Sequence, residues 1–168
     1  MNIFLPYEDD VVASVKALDD LRLNKQILEV HQLANNSIAE LQGFSVNGYK
    51  NHPIYLHYKH NLGFLLWYGY VCCNEYAMRF GRVHKLTEFF EDEIVPHCHD
   101  ASFHSCKYIP FYMEGSKGQP NYIRTTENVS ELYQRKLINK WRNDKRPPKW
   151  TNREMPEFYK KFLQGETQ

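Results

Sequence analysis

A chain of 168 residues with 15% aromatic side chains can bury a substantial hydrophobic core, which excludes intrinsic disorder as its general state. Its formal net charge of +1 excludes a uniformly basic protein, so binding to nucleic acid would have to come from local clusters of cations. The irregularly spaced cysteines and the acidic start favour neither a disulfide framework nor a secretory signal, and no apolar run is long enough for a membrane span. We therefore expect one cytoplasmic, monomeric domain over residues 1–168, in the host cytosol if the source is viral.

The chain opens with an apolar arm followed by a short helix. Residues 1–5 are apolar and can lie against the core in an extended conformation. Asp9 or Asp10 can cap a helix, and the paired acids Asp19 and Asp20 mark a break before the next one. The inward side of this first helix is expected to comprise Val11, Val12, Val15 and Leu18.

Residues 19–41 are predicted to form a long helix with two different faces. Its apolar stripe recurs at steps of three and four and comprises Leu23, Ile27, Val30, Ala34, Ile38 and Leu41. The opposite face carries Arg22, Lys25, Gln26 and Glu29. This face is either a solvated surface with ion pairs or a catalytic acid in a basic groove, and both interpretations stay open at this point.

A second long helix is predicted over residues 54–80. Asn51 or His52 can cap it, with Pro53 in its first turn. Because it is apolar or aromatic almost all round, we expect it to be the buried centre of an all-α domain, packed against the first long helix. Gly63 and Gly69 indicate close helix approach or a kink. The helix is expected to end at Arg79 and Gly81, before a basic patch at Arg82, His84 and Lys85.

The following helix is acidic on its outer face and is predicted to end at Pro96. The segment over residues 97–128 shows no periodicity, so a long surface loop is expected at about 96–128. It contains His97, Cys98, His99, His104 and Cys106, which raise the possibility of a zinc-stabilised interaction domain. Their spacing matches no common zinc site, and we predict no metal and no cofactor.

The last third of the chain concentrates positive charge. Residues 130–143 are predicted to form an amphipathic helix, and a short helix is expected over residues 156–163. Between residues 135 and 149 Asp144 is the single acid among Arg135, Lys136, Lys140, Arg142, Lys145, Arg146 and Lys149. In the basic tail at about 142–155, Trp150 either stacks on a nucleobase or is tucked into the core.

Three motifs resemble the pyrimidine-dimer DNA glycosylases, the family of phage base-excision endonucleases. The first is D-x-R-x6-E, formed by Asp20, Arg22 and Glu29; the others are the aromatic helix ending in RFGR and the late helix leading to RPPKWTNRE. The stretches MNIF, DDLRLNKQILE, NHP and RFGRVHK also resemble a group of phage proteins with no assigned activity.

The resemblance implies a DNA glycosylase, with or without AP-lyase activity, that flips damaged or modified pyrimidines out of double-stranded DNA for repair by base excision. In that family the chain's own α-amine attacks C1′ of the sugar, and a glutamate on the first long helix stabilises the cationic transition state. Glu29 takes that glutamate's place, and Arg22 stands where the family often has a histidine. Because Asn2 is bulky, we expect Met1 to be retained and to supply the amine, with Lys25 as the alternative nucleophile.

The residues predicted to contact DNA are His52, Arg82, His84, Lys85, Lys136, Lys140, Lys145, Arg146, Lys149 and Trp150. An alternative function is a non-catalytic, nucleic-acid-binding phage accessory protein that uses the same basic tail.

Overall fold

The protein is mostly helical. The computed structural model describes residues 1–7, 10–46, 48–97, 110–115, 117–120 and 122–166. Within these ranges the helices are α1 (Val11–Ala17), α2 (Asp20–Leu41), α3 (Pro53–Tyr58), α4 (Leu62–Phe80), α5 (Thr87–His97), α6 (Val129–Asn143) and α7 (Glu157–Leu163). A small antiparallel sheet pairs β1 (Tyr112–Glu114) with β2 (Ile123–Thr125), Met113 opposite Arg124. The all-α prediction is confirmed. No helix in the described ranges is long and apolar enough to cross a membrane.

The helices α2 and α4 pack against each other in the centre of the molecule, as predicted. The apolar stripe of α2 is buried from Leu23 to Ile38, because α4 offers it a nearly continuous apolar surface. Leu41 is an exception, since it lies in the last turn and is mostly exposed. Gly69 of α4 is the point where α5 comes closest: a Cβ atom there would lie 2.1 Å from Cε1 of Phe90.

The single helix predicted over residues 54–80 is wrong, because the chain turns between α3 and α4. Asn61 leaves the helical region, and its N–H donates to the Tyr58 carbonyl in a turn. The cap prediction is confirmed: the Ile54 N–H donates to Nδ1 of His52, and Pro53 follows at the first helical position. Asp10 likewise caps α1.

The arm at the start of the chain lies against α2, with Ile3, Phe4 and Leu5 buried. The side chain of Gln26 bonds to it twice: the Phe4 N–H donates to Oε1 at 3.1 Å, and Nε2 donates to the Asn2 carbonyl at 2.6 Å. The prediction that Gln26 faces outward with Arg22 and Lys25 is therefore wrong. A buried amide is tolerated there because it satisfies the unpaired backbone of the arm.

The described part of the segment predicted to be a loop contains the β1–β2 pair. Two side chains of α6 hold this pair: the Tyr133 hydroxyl donates to the Phe111 carbonyl, and Nζ of Lys136 donates to the Met113 carbonyl, both at 2.7 Å. Helix α5 continues through Pro96 to His97, one residue beyond its predicted end. Cys98, His99, His104 and Cys106 lie outside the described residues. Among those described, no group of three or more metal-ligating side chains occurs.

A buried charge network joins the last third of the chain to the central helices. Arg79 is buried and donates to Glu75, to Asp20 and to the backbone carbonyls of Lys16 and Leu18. Arg153 completes it with two hydrogen bonds to Glu75, at 2.8 and 3.1 Å. Each buried charge therefore has an opposite charge beside it.

Candidate active site

Glu29 lies in a cleft of about 300 Å³ between the arm and α2. We call it the Glu29 cleft; its walls include Met1, Asn2 and Lys25, and Lys140 of α6 reaches it from the other side. The Glu29 side chain is 16% exposed, so its carboxylate is shielded but still reachable from solvent. The cleft therefore combines a carboxylate with amines from three parts of the chain.

The Glu29 carboxylate contacts two primary amines and one backbone N–H. Oε1 lies 4.0 Å from the α-amine nitrogen of Met1 and 3.8 Å from Nζ of Lys25. Oε2 accepts a hydrogen bond from the Asn2 N–H at 3.2 Å. A carboxylate in this position can hold an amine in place, exchange protons with it and balance positive charge that develops nearby.

The position of the Met1 amine follows from the packing of the arm. The Gln26 side chain forms hydrogen bonds with the backbone on both sides of Ile3, and the Ile3 side chain is buried in the core. The Tyr68 hydroxyl of α4 donates to the Phe4 carbonyl at 2.9 Å. The side chains of Gln26 and Glu29 on α2 and of Tyr68 on α4 hold the arm. The amine is therefore pre-organised rather than mobile.

Arg22 is held by two carboxylates. Its guanidinium forms a two-pronged ion pair with Asp144, the residue that follows α6, and lies 3.3 Å from Asp19. The hydrogen bond from Arg22 lowers the pKa of the Asp144 carboxyl. Because Arg22 also lines the Glu29 cleft, this ion pair connects the cleft to the residue that follows α6.

A comparison with known families identifies the family of the chain. Residues 1–89 match the family model described as pyrimidine dimer DNA glycosylase. The chain belongs to this family. No curated protein and no solved structure matches the chain. The suspected family is thus confirmed, although the RPPKWTNRE motif lies outside the matched residues, and membership in a glycosylase family implies DNA as the substrate.

The family match covers the arm, Glu29 and α4, whereas α6 and everything after it lie outside the match. In this chain the part outside the match supplies Lys140 to the Glu29 cleft and Asp144 to Arg22. Sequence reasoning missed the role of Asp144. The available signal was its position as the single acid in a run of cations, where a carboxylate is expected to be paired.

His52 interacts electrostatically with the Met1 amine and with Glu29. Its pKa is lowered by burial first and by the positive Met1 amine second, while Glu29 acts in the opposite direction. The lowered pKa favours the neutral imidazole. Since Nδ1 accepts the Ile54 N–H, the proton of the neutral ring is on Nε2.

The five residues 145–149, which we call the basic strap, are anchored at both ends. The Arg22–Asp144 pair holds one end, and the Asp20 N–H donates to the Lys149 carbonyl at 2.8 Å at the other. The side chain of Asp20 also accepts from Thr151 Oγ1 at 2.7 Å. The exposed cations of the strap are Lys145, Arg146 and Lys149. A second depression of about 360 Å³ lies beside the strap.

Several of the residues predicted to bind DNA have contacts within the protein, including Arg82, whose guanidinium carbon lies 5.7 Å from the Tyr76 ring centre. Nζ of Lys136 lies 4.8 Å from the Tyr112 ring centre, and burial lowers the pKa of Lys136. The buried His84 accepts the Leu86 N–H at Nδ1. Trp150 donates its indole N–H to the Ala17 carbonyl, and its ring packs against Trp141. For Trp150 the packed alternative is thus the one observed. Arg82 and Lys85 are exposed, and their role in binding stays a prediction.

Proposed function

We propose that this protein excises damaged or modified pyrimidines from double-stranded DNA by flipping the nucleotide into the Glu29 cleft, and that it then cleaves the strand as an AP lyase. One observation carries the proposal: the Met1 amine lies 4.0 Å from a shielded Glu29 carboxylate that also binds the next backbone N–H. An amine nucleophile beside a carboxylate can cleave a glycosidic bond through a covalent intermediate.

The reaction begins when the lone pair of the Met1 nitrogen attacks C1′ of the sugar. The bond from C1′ to the base breaks, and the base leaves with the bonding electrons and takes up a proton. Glu29 balances the positive charge that develops on the sugar and carries protons to and from the amine. Loss of a proton from nitrogen and opening of the sugar ring give a Schiff base at C1′.

The Schiff base also accounts for strand cleavage. It makes the hydrogens on C2′ acidic, so that removal of one of them expels the 3′ phosphate by β-elimination. Water then hydrolyses the C=N bond and regenerates the free amine. Each turnover therefore consumes water and no cofactor.

Two observations favour the Met1 amine over Lys25 as the nucleophile. The arm that carries the amine is fixed by Gln26, whereas the Lys25 side chain is 67% exposed and has four rotatable bonds to immobilise.

The surroundings of the cleft suit an extruded nucleotide. A volume of about 300 Å³ is at the lower end of the range for small-molecule sites and matches one unit of the strand rather than a long segment. The basic strap provides exposed cations for phosphates nearby. Damaged or unpaired nucleotides leave the stack most easily, which contributes to lesion selectivity.

Trapping with borohydride tests the proposal. The full chain is incubated with duplex DNA containing an abasic site or ultraviolet lesions, and borohydride reduces any Schiff base to a stable adduct that is mapped by mass spectrometry. We expect the adduct on the Met1 nitrogen and unchanged trapping in Lys25→Met and in the control Lys161→Met. An adduct on Lys25 would assign the chemistry to that lysine. Absence of both trapping and excision, with DNA binding intact, would establish the non-catalytic binding protein instead.

A further inference from the structure

Leu21 is a large apolar side chain on the ridge between the two depressions of the site. It is 63% exposed, and it lines both the Glu29 cleft and the depression beside the basic strap. Single exposed leucines are common on protein surfaces. What distinguishes Leu21 is that cations lie on either side of it, Lys25 and Lys140 toward the cleft and the strap on the other side.

The backbone that carries Leu21 is held on both sides. The preceding residue, Asp20, bonds to Arg79 at 3.1 Å and to Thr151 at 2.7 Å. The following residue, Arg22, is bound by Asp144. Since Leu21 also lies in the first turn of a long helix, its side chain projects from a fixed base.

When the phosphates of a duplex contact the strap and one nucleotide enters the Glu29 cleft, Leu21 lies between these two contacts, because it lines both depressions. We propose that Leu21 is the wedge that enters the base stack and fills the space left by the extruded nucleotide. This inference rests on the proposed function. Apolar side chains inserted between base steps unstack and kink DNA in this way, because they replace the interrupted stacking by packing against the remaining bases.

The test compares Leu21→Ala with Leu41→Ala. Leu41 is a matched control, since it is the last residue of the same helix and is 66% exposed. The first readout is the fluorescence of 2-aminopurine next to a lesion in duplex DNA, which rises when the base unstacks on binding. The second is excision from ultraviolet-irradiated DNA, measured separately on duplex and on single strands.

We expect Leu21→Ala to lose most of the fluorescence rise and to lower kcat/KM on duplex DNA by about tenfold or more, with less than about a twofold change on single strands. Leu21→Met should recover most of both signals, and Leu41→Ala should behave as wild type. Equal losses on duplex and single strands, or no loss at all, would overturn the wedge. If the wild-type chain raises the fluorescence without excising bases, the proposed chemistry fails. In that case a loss of fluorescence confined to Leu21→Ala still supports the wedge. If the wild-type chain does not unstack the duplex, the wedge fails.

Discussion

Replacing Glu29 by glutamine separates a catalytic carboxylate from a surface ion pair. The change keeps the size of the side chain and an oxygen that can accept the Asn2 N–H, so the arm should stay in place. It removes the charge opposite Lys25, a pair worth about 0.3–0.5 kcal/mol at an exposed position, and the charge opposite the Met1 amine, worth up to about 1 kcal/mol. We therefore expect the free energy of unfolding to fall by about 1 kcal/mol.

The effect on chemistry should be much larger. An amide cannot balance positive charge on the sugar or take up a proton, and removal of one such electrostatic interaction typically lowers the rate of the chemical step by about 10²–10³-fold, or about 3–4 kcal/mol. Glu29→Gln should therefore bind lesion DNA normally and excise bases at least about a hundredfold more slowly. The increase in activation free energy would then exceed the loss of folding stability by about 2 kcal/mol or more, and this difference identifies Glu29 as a catalytic group.

Single-turnover excision with excess enzyme measures this step, with thermal unfolding and fluorescence anisotropy as checks on folding and binding. Glu40→Gln is the matched control, because Glu40 lies on the same helix and is likewise paired with a lysine, Lys59, at 2.9 Å. The control should excise like wild type. A Glu29→Gln rate within about threefold of wild type would refute the catalytic role, since so small a change corresponds to less than about 1 kcal/mol.

Three further outcomes follow from the geometry. Reversing the charges of the three cations in the basic strap (residues 145–149) should weaken duplex binding by about 1 kcal/mol for each phosphate left without its cation. A salt titration should show a flatter dependence of binding on salt, and an unchanged slope would place the DNA-binding surface elsewhere. Gly69→Ala should destabilise the protein by about 1–3 kcal/mol in urea unfolding, because the new methyl group meets Phe90, and Phe90→Leu in the same chain should recover part of the loss. The lowered pKa of Asp144 means that its pair with Arg22 stabilises the fold above the carboxyl's unfolded pKa and that this stabilisation is lost as pH falls through the lower folded value. The difference in stability between wild type and Asp144→Asn should therefore shrink from pH 7 toward pH 3, and a constant difference would contradict the assignment.

Periodicity in the sequence was sufficient to predict the two central helices and the polar face that carries Glu29. It reports which side of a helix is apolar, but not what approaches the polar side. That is why the outward assignment of Gln26 failed: its partner is backbone more than twenty residues earlier. The break at Asn61 was hidden for a related reason, since the apolar pattern continues on both sides of the turn.

The charged groups were harder to assign than the apolar ones. A run of cations looks the same in sequence whether its members face solvent, bind a carbonyl as Lys136 does, or pair with a distant acid as Arg22 does with Asp144. Only the fold decides among these, because each depends on an interaction between residues far apart in the chain. The family motif was sufficient to predict that Glu29 lies in a cleft. The electrostatic interaction of His52 with Glu29 was not predicted.

The buried network around Arg79 has a consequence for anyone seeking a minimal catalytic fragment. Truncation after residue 89 would keep the whole stretch shared with the family, yet it would strip Asp20 of Thr151, Glu75 of Arg153 and Arg22 of Asp144. Asp20 would lose a hydrogen-bond donor, Glu75 one of its two arginine partners and Arg22 a carboxylate, so such a fragment is expected to be less stable than the full chain.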